Sequence, residues 1–150
     1  MELEQAERLR FSRMQKMSSF KIKDILKVPT KQRSSAQHFF LRMHLQLNVP
    51  FFANYTGKTL ADICSQLHQK VYDKGEIIFK KGDFGEELYV IMVGEAGVYV
   101  DDALQQCVVE LTEGKTYGER SLQQPELRLA TLLAHRVTVC LVLKKQDFHN

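Results

Sequence analysis

Residues 117–131 read Tyr117-Gly118-Glu119-Arg120-Ser121-Leu122-Gln123-Gln124-Pro125-Glu126-Leu127-Arg128-Leu129-Ala130-Thr131. A glycine and a carboxylate precede a short helix-compatible run, and a lone arginine, ten residues after the glycine, opens an apolar strand. These are the parts of a clamp for phosphate and sugar. Gly118 lets the backbone approach a ligand, and the amides that open the next helical turn point outward with partial positive charge, which favours an anion. Arg128 offers a planar fork of donors able to take two phosphate oxygens, and it stays charged at any working pH. Glu119 has the complementary use, since a carboxylate accepts hydrogen bonds from sugar hydroxyls.

Upstream of this stretch, from Gln69 onward, apolar residues recur with period two and turn residues arrive at short intervals. The pattern predicts strands at Lys70–Tyr72, Ile77–Lys80, Glu87–Val93, Gly97–Asp101, Cys107–Leu111, Arg128–Ala134 and Val137–Leu143. Asp73-Lys74-Gly75, Gly82-Asp83-Phe84-Gly85, Val93-Gly94-Glu95, Asp101-Asp102, Glu113-Gly114 and His135-Arg136 punctuate them. Many short strands separated by glycine turns imply a mainly β fold, a small sandwich or barrel of jelly-roll type.

Helices flank it. Pro29 breaks a first helical region, because proline removes an amide donor and pushes its predecessor out of helical geometry. Ser34 or Ser35 caps a second helix over about Ala36–Gln46, whose apolar side holds Phe39, Phe40, Met43 and Leu47. Asn48-Val49-Pro50-Phe51-Phe52 ends it, and a third helix follows over about Thr59–His68, with Leu60, Ile63, Cys64 and Leu67 on one face.

The chain has 150 residues, the size of one domain, with 44% hydrophobic and 26% charged residues. Cys64, Cys107 and Cys140 are odd in number and lack metal-ligand spacing, so they read as reduced thiols in a cytosolic setting. No apolar run approaches the roughly 18 residues that span a bilayer, and Met1–Arg10 is too charged for a signal peptide. The net charge of +3 hides an asymmetry: residues 1–46 hold ten Lys/Arg against four Asp/Glu, a balance of +6, and residues 47–150 hold eleven against fourteen, a balance of −3. The basic arm reads as a solvated helical face, with Arg8, Arg10, Arg13 and Lys16 interleaved among Leu9, Phe11, Met14 and Met17; a contact with acidic partners, anionic lipid or nucleic acid is the other reading. Arg33-Ser34-Ser35 and Arg10-Phe11-Ser12 are weak phosphorylation-like patterns. The five histidines are dispersed, with no His-rich metal set, and no Walker loop, nucleophile elbow, kinase signature or C-terminal helix-turn-helix is present, so neither a catalytic nor a metal site nor nucleic-acid binding is expected.

The stretch at 117–131 resembles the phosphate-binding cassette of the cyclic nucleotide-binding domain family, shared by cAMP-dependent kinase regulatory subunits, cGMP-dependent kinases, cyclic nucleotide-gated channels and bacterial cAMP-responsive regulators. The family cassette reads roughly Phe-Gly-Glu-x-Ala-Leu, a few variable residues, then Pro-Arg-Ala-Ala-Thr; Tyr117 stands for the Phe and Ser121 for the Ala. Two positions depart from it, Leu127 where the proline stands and Leu129 where a small residue follows the arginine. Lys74–Ile91 and the Val49-Pro50-Phe51-Phe52 elbow are similar to the family as well, so the likeness runs over about Ser34 to Asn150.

The resemblance implies an N-terminal basic helical arm (residues 1–47) and a jelly-roll-like β-barrel (residues 48–150) that stops before the hinge and lid helices, with Lys144–Asn150 as their entry. It implies that Arg128 neutralises a cyclic phosphate, that Glu119 accepts from the ribose 2′-hydroxyl, and that Gly118, Arg120, Ser121 and Leu122 lie along the phosphate-facing backbone, with Leu129 and Ala130 beside them. It also implies that Glu86 braces Arg128 from behind, because a guanidinium that loses hydration gains from a carboxylate that fixes its direction. Val98, Val100 and Leu111 are candidates for the apolar wall beside sugar and base, against an ordinary core role. Family sites selective for cGMP often carry Thr or Ser after the arginine; Leu129 has no hydroxyl, which leans toward cAMP over cGMP. The implied function is a cytoplasmic regulatory module whose N-terminal helices pass the signal to an effector, at a membrane only if the parent is a channel. The alternative is a protein-interaction module that keeps the fold without ligand, Leu127 and Leu129 filling the pocket.

Overall fold

The structure, a computed structural model, describes Gln5 and residues 22–148. The expected helical face over residues 8–17, the Arg10-Phe11-Ser12 pattern and residues 149–150 lie outside the described residues.

Residues 22–27 (α1) are helical and stop short of Pro29. A 3-10 turn at Thr30–Gln32 leads to α2 (Ser35–Asn48), a second turn at Pro50–Phe52 and α3 (Gly57–Ser65). α2 starts where it does because Ser34 and Gln37 form a capping box: Gln37 N donates to Ser34 Oγ at 3.1 Å and Ser34 N to Gln37 Oε1 at 2.9 Å. It ends at Val49, whose extended backbone (φ −119°, ψ 108°) is what a following proline demands.

The strands follow as β1 (His68–Tyr72), β2 (Ile77–Phe79), β3 (Phe84–Gly85), β4 (Glu87–Val93), β5 (Ala96–Tyr99), β6 (Cys107–Leu111), β7 (Thr116–Tyr117), β8 (Glu126–Leu127), β9 (Thr131–Ala134) and β10 (Thr138–Lys144), with the short helix α4 (Glu119–Gln123) between β7 and β8 and a 3-10 turn at Lys145–Asp147 after β10. Two four-stranded sheets, β1-β10-β4-β7 and β2-β9-β5-β6, and a β3-β8 ribbon contain antiparallel pairings throughout. This is the mainly β, jelly-roll architecture expected from the strand spacing.

Side-chain alternation in β4 and β10 divides the core in two. Tyr89, Ile91, Cys140 and Val142 point between the sheets, where they meet Phe79, Val98, Ala130 and Leu132. Leu88, Val90, Met92, Leu141 and Leu143 point the other way, onto Ile25, Leu41, Leu45, Phe52, Leu60 and Ile63 of the helical layer. The middle strands β4 and β10 of the first sheet are thus buried on both faces, which is why Leu88–Val93 reads as an unbroken apolar run. Each such side chain contributes roughly 1.5–3 kcal/mol by leaving water, so the helices are fastened to the barrel rather than hung from it.

Boundaries differ from expectation at several elements: the helix foreseen to His68 ends at Ser65, and His68 opens β1. The strand foreseen from Arg128 begins only at Thr131, because Arg128 is tied to the turn before β3: its amide donates to the Asp83 carbonyl at 2.7 Å and its carbonyl accepts from Gly82 N at 2.8 Å. β3, β7 and β8 are two-residue strands, too short to show a period.

Candidate functional site

A cavity of about 230 Å³ opens between Thr116–Ser121 on one side and Glu126–Leu129 on the other. Gly118 sits at its base with φ +101°, as the N-cap of α4. A Cβ there would stand 2.4 Å from the Glu87 carbonyl oxygen and 3.0 Å from Arg128 Nη1, so both the backbone shape and the lack of space require glycine.

Arg128 forms one wall and is only 5% exposed. Its Nη1 donates to Ser121 Oγ at 3.1 Å and its Nη2 to the Glu87 carbonyl at 2.8 Å. Its Cζ lies 4.5 Å from the Phe79 ring centroid and 5.7 Å from that of Tyr89. One backbone carbonyl, one hydroxyl and two ring faces orient the guanidinium, yet among the described residues no carboxylate comes within ion-pair distance of it. A buried cation without a counter-charge is costly, and an anion entering the cavity would supply one.

Glu119, exposed on the first turn of α4, accepts a hydrogen bond from the Thr116 hydroxyl through Oε1. Arg120 reaches Glu126 at 3.6 Å across the mouth, an exposed pair of little energetic weight. Tyr89 donates to Glu87 Oε2 at 2.9 Å, and burial followed by the Glu87 charge pushes its phenol well above the ordinary range, so it is a neutral donor at working pH.

Of the residues singled out from sequence, Gly118, Glu119, Arg120, Ser121, Arg128 and Leu129 all line this one cavity. Leu122 and Ala130, each 3% exposed, are core residues on either side of it. The expected Glu86–Arg128 contact is corrected: Glu86 is exposed, and the group bracing Arg128 is the next residue's main-chain carbonyl. The reason is local. The backbone at Gly85 faces the guanidinium, so close that a Cβ would meet Nε at 2.4 Å, which turns the Glu86 side chain away. Of the three candidates for an apolar wall, Val98 and Leu111 take the ordinary core role that stood against it, between the sheets, Val100 is 45% exposed, and none of the three lines the cavity. Phe79, Tyr89 and Gly85 were not foreseen; the only signal for them was an aromatic residue closing Ile77-Ile78-Phe79 and a second glycine in the turn before Glu86.

The family model for the cyclic nucleotide-binding domain matches residues 69–150, and the chain belongs to that family. It is 34% identical over 103 residues to the cyclic nucleotide-gated channel rod photoreceptor subunit alpha of Gallus gallus, an alignment covering 67% of this chain and 15% of the channel subunit. It is 41% identical over 69 residues to the cGMP-dependent protein kinase of Plasmodium berghei (strain Anka), covering 46% of this chain and 8% of the kinase. The chain therefore spans less than a fifth of the length of either relative. Among solved structures, the cAMP-bound PfPKA-R (141-441) superposes with a TM-score of 0.67 at 24% identity, covering 78% of this chain and 42% of that one, a likeness of fold. Among the described residues no helix is long and apolar enough to cross a membrane.

Proposed function

We propose that the cavity beside α4 is a cyclic nucleotide site and that the chain is a cytoplasmic regulatory module, not an enzyme, whose ligand is cAMP in preference to cGMP. The observation that carries the reading is Arg128: a buried, pre-oriented guanidinium with no carboxylate partner, facing a cavity whose opposite side holds Gly118 and Glu119. The cyclic phosphate is the missing counter-charge, and Glu119 accepts the ribose 2′-hydroxyl. Leu129, 70% exposed at the rim, offers an apolar surface to the base and no hydroxyl to a guanine amino group, which supports the preference for cAMP. The names of similar proteins point both ways, to a cGMP-dependent kinase and to a cAMP-bound regulatory subunit. The arm (1–47) carries the signal to an effector and the barrel (48–150) holds the ligand, since the helical layer and the first sheet share one core; such coupling is typically worth about 1–3 kcal/mol.

Thermal unfolding with cAMP, cGMP and linear 5′-AMP tests this. Stabilisation by the cyclic nucleotides, larger for cAMP and absent for 5′-AMP, is expected. No shift with any nucleotide at millimolar concentration would favour a ligand-free interaction module instead; against that module, Leu127 (59% exposed) and Leu129 do not fill the cavity.

A further inference from the structure

A second cavity, about 250 Å³, shares no lining residue with the first. It lies between the turn at Thr30, α2, α3, β1 and the middle of β10. Its floor is apolar, with Leu41 and Leu141 almost wholly buried and Ala61 and Leu67 beside them. The basic side chains that line it are Arg33, His38 and Arg42, and no carboxylate does.

Arg33 is held in place before any ligand arrives. Its Nε donates to the carbonyls of Ile25 at 3.2 Å and Val28 at 2.9 Å, and its Nη2 to Gln69 Oε1 at 3.0 Å. Gln69 is in turn fixed by donating to the Leu26 carbonyl at 2.7 Å. Nη1 has no hydrogen-bond partner among the described residues, and burial has already stripped part of the guanidinium's hydration, lowering its pKa. Arg42 makes neither a hydrogen bond nor an ion pair with any described residue, and it stands one helical turn from His38 on the same face of α2. Its charge reaches the thiol of Cys64 at the other wall. Two guanidinium groups and an imidazole thus converge on a partly apolar concavity with no opposing charge, an arrangement that repels itself when empty and is relieved by an anion.

We propose that this cavity binds a small organic anion, a carboxylate or phosphate head on a short apolar body, with the head between Arg33 and Arg42 and the body on Leu41, Ala61, Leu67 and Leu141. The site is independent of the one beside α4. Because Arg33 also holds the end of α1 against β1, an occupant stiffens the junction between the helical layer and the barrel.

Calorimetric titration of the whole chain with hexanoate, phenyl phosphate and uncharged 1-hexanol tests the proposal, with the two anions separating carboxylate from phosphate preference. At least one anion should saturate a single site, and the alcohol should bind at least about tenfold more weakly. Arg42→Gln, which removes no bond of the fold, should weaken the anion about tenfold, His38→Gln should weaken it less, and Arg128→Gln in the other cavity should leave it unchanged. The proposal is overturned if neither anion saturates, if 1-hexanol binds as well as hexanoate, if Arg42→Gln leaves the affinity unchanged, or if binding is lost in Arg128→Gln.

Discussion

Arg128 covers Gly85 so closely that a Cβ at that glycine would stand 2.4 Å from Nε and 2.5 Å from Cζ. Gly85→Ala therefore forces the guanidinium off the Glu87 carbonyl and out of its cradle. The expected outcome is a stability loss of about 1–3 kcal/mol in urea, with a parallel loss of cAMP affinity. Gly75→Ala is the control: at φ +88° with nothing near its would-be Cβ, it carries backbone strain alone, so stability should fall while nucleotide affinity holds.

Base preference depends on Leu129, which stands exposed at the cavity rim. Leu129→Thr supplies the hydroxyl that a guanine amino group can bond, and one added hydrogen bond should raise cGMP affinity relative to cAMP by about threefold to tenfold. Competition between the two nucleotides on wild type and variant reads this directly; an unchanged ratio would remove Leu129 from base discrimination.

Acid sensitivity should trace in part to His44. Desolvation holds its imidazole below the ordinary value, the Glu113 charge opposing in part, and Asn48 Nδ2 lies 3.4 Å from its Nδ1. The folded chain then resists a proton that the unfolded chain accepts. This contribution to stability is present above the ordinary imidazole value, about 6.5, and is lost as pH falls through it toward the lowered folded value. Urea midpoints should drop between about pH 7 and pH 5, and His44→Gln should flatten the drop.

Thiol chemistry should separate the three cysteines. Burial pushes Cys64 up to about 11 and Cys140 up to about 12, so both stay protonated, Cys140 buried and Cys64 half-buried, whereas Cys107 is exposed on β6. An aromatic disulfide reagent should release one fast equivalent on native protein, and Cys107→Ser should abolish that phase.

Much of this architecture can be read from residues alone, and the misses have physical causes. Ser34-Ser35 announces a helix start because capping is a local, side-chain event, and the structure puts the cap on Ser34. β4 announces a strand, but not that its second face meets helices, since an apolar run looks the same whatever covers it. At the site, Gly118 and Arg128 are visible because a turn glycine and a lone arginine at fixed spacing are side-chain signals. The brace behind Arg128 is not visible: it is the carbonyl of Glu87, and every residue carries a carbonyl. The family resemblance, which supplies an acidic side chain for that role, therefore points to Glu86, which is exposed.

The central claim is that Arg128 receives the cyclic phosphate, and a calorimetric titration of cAMP into wild type and Arg128→Ala tests it most directly. Loss of the guanidinium should cost about 3 kcal/mol or more of binding, roughly a hundredfold, in a variant shown to be folded by its far-ultraviolet dichroism. Equal affinities for the two proteins would contradict the account.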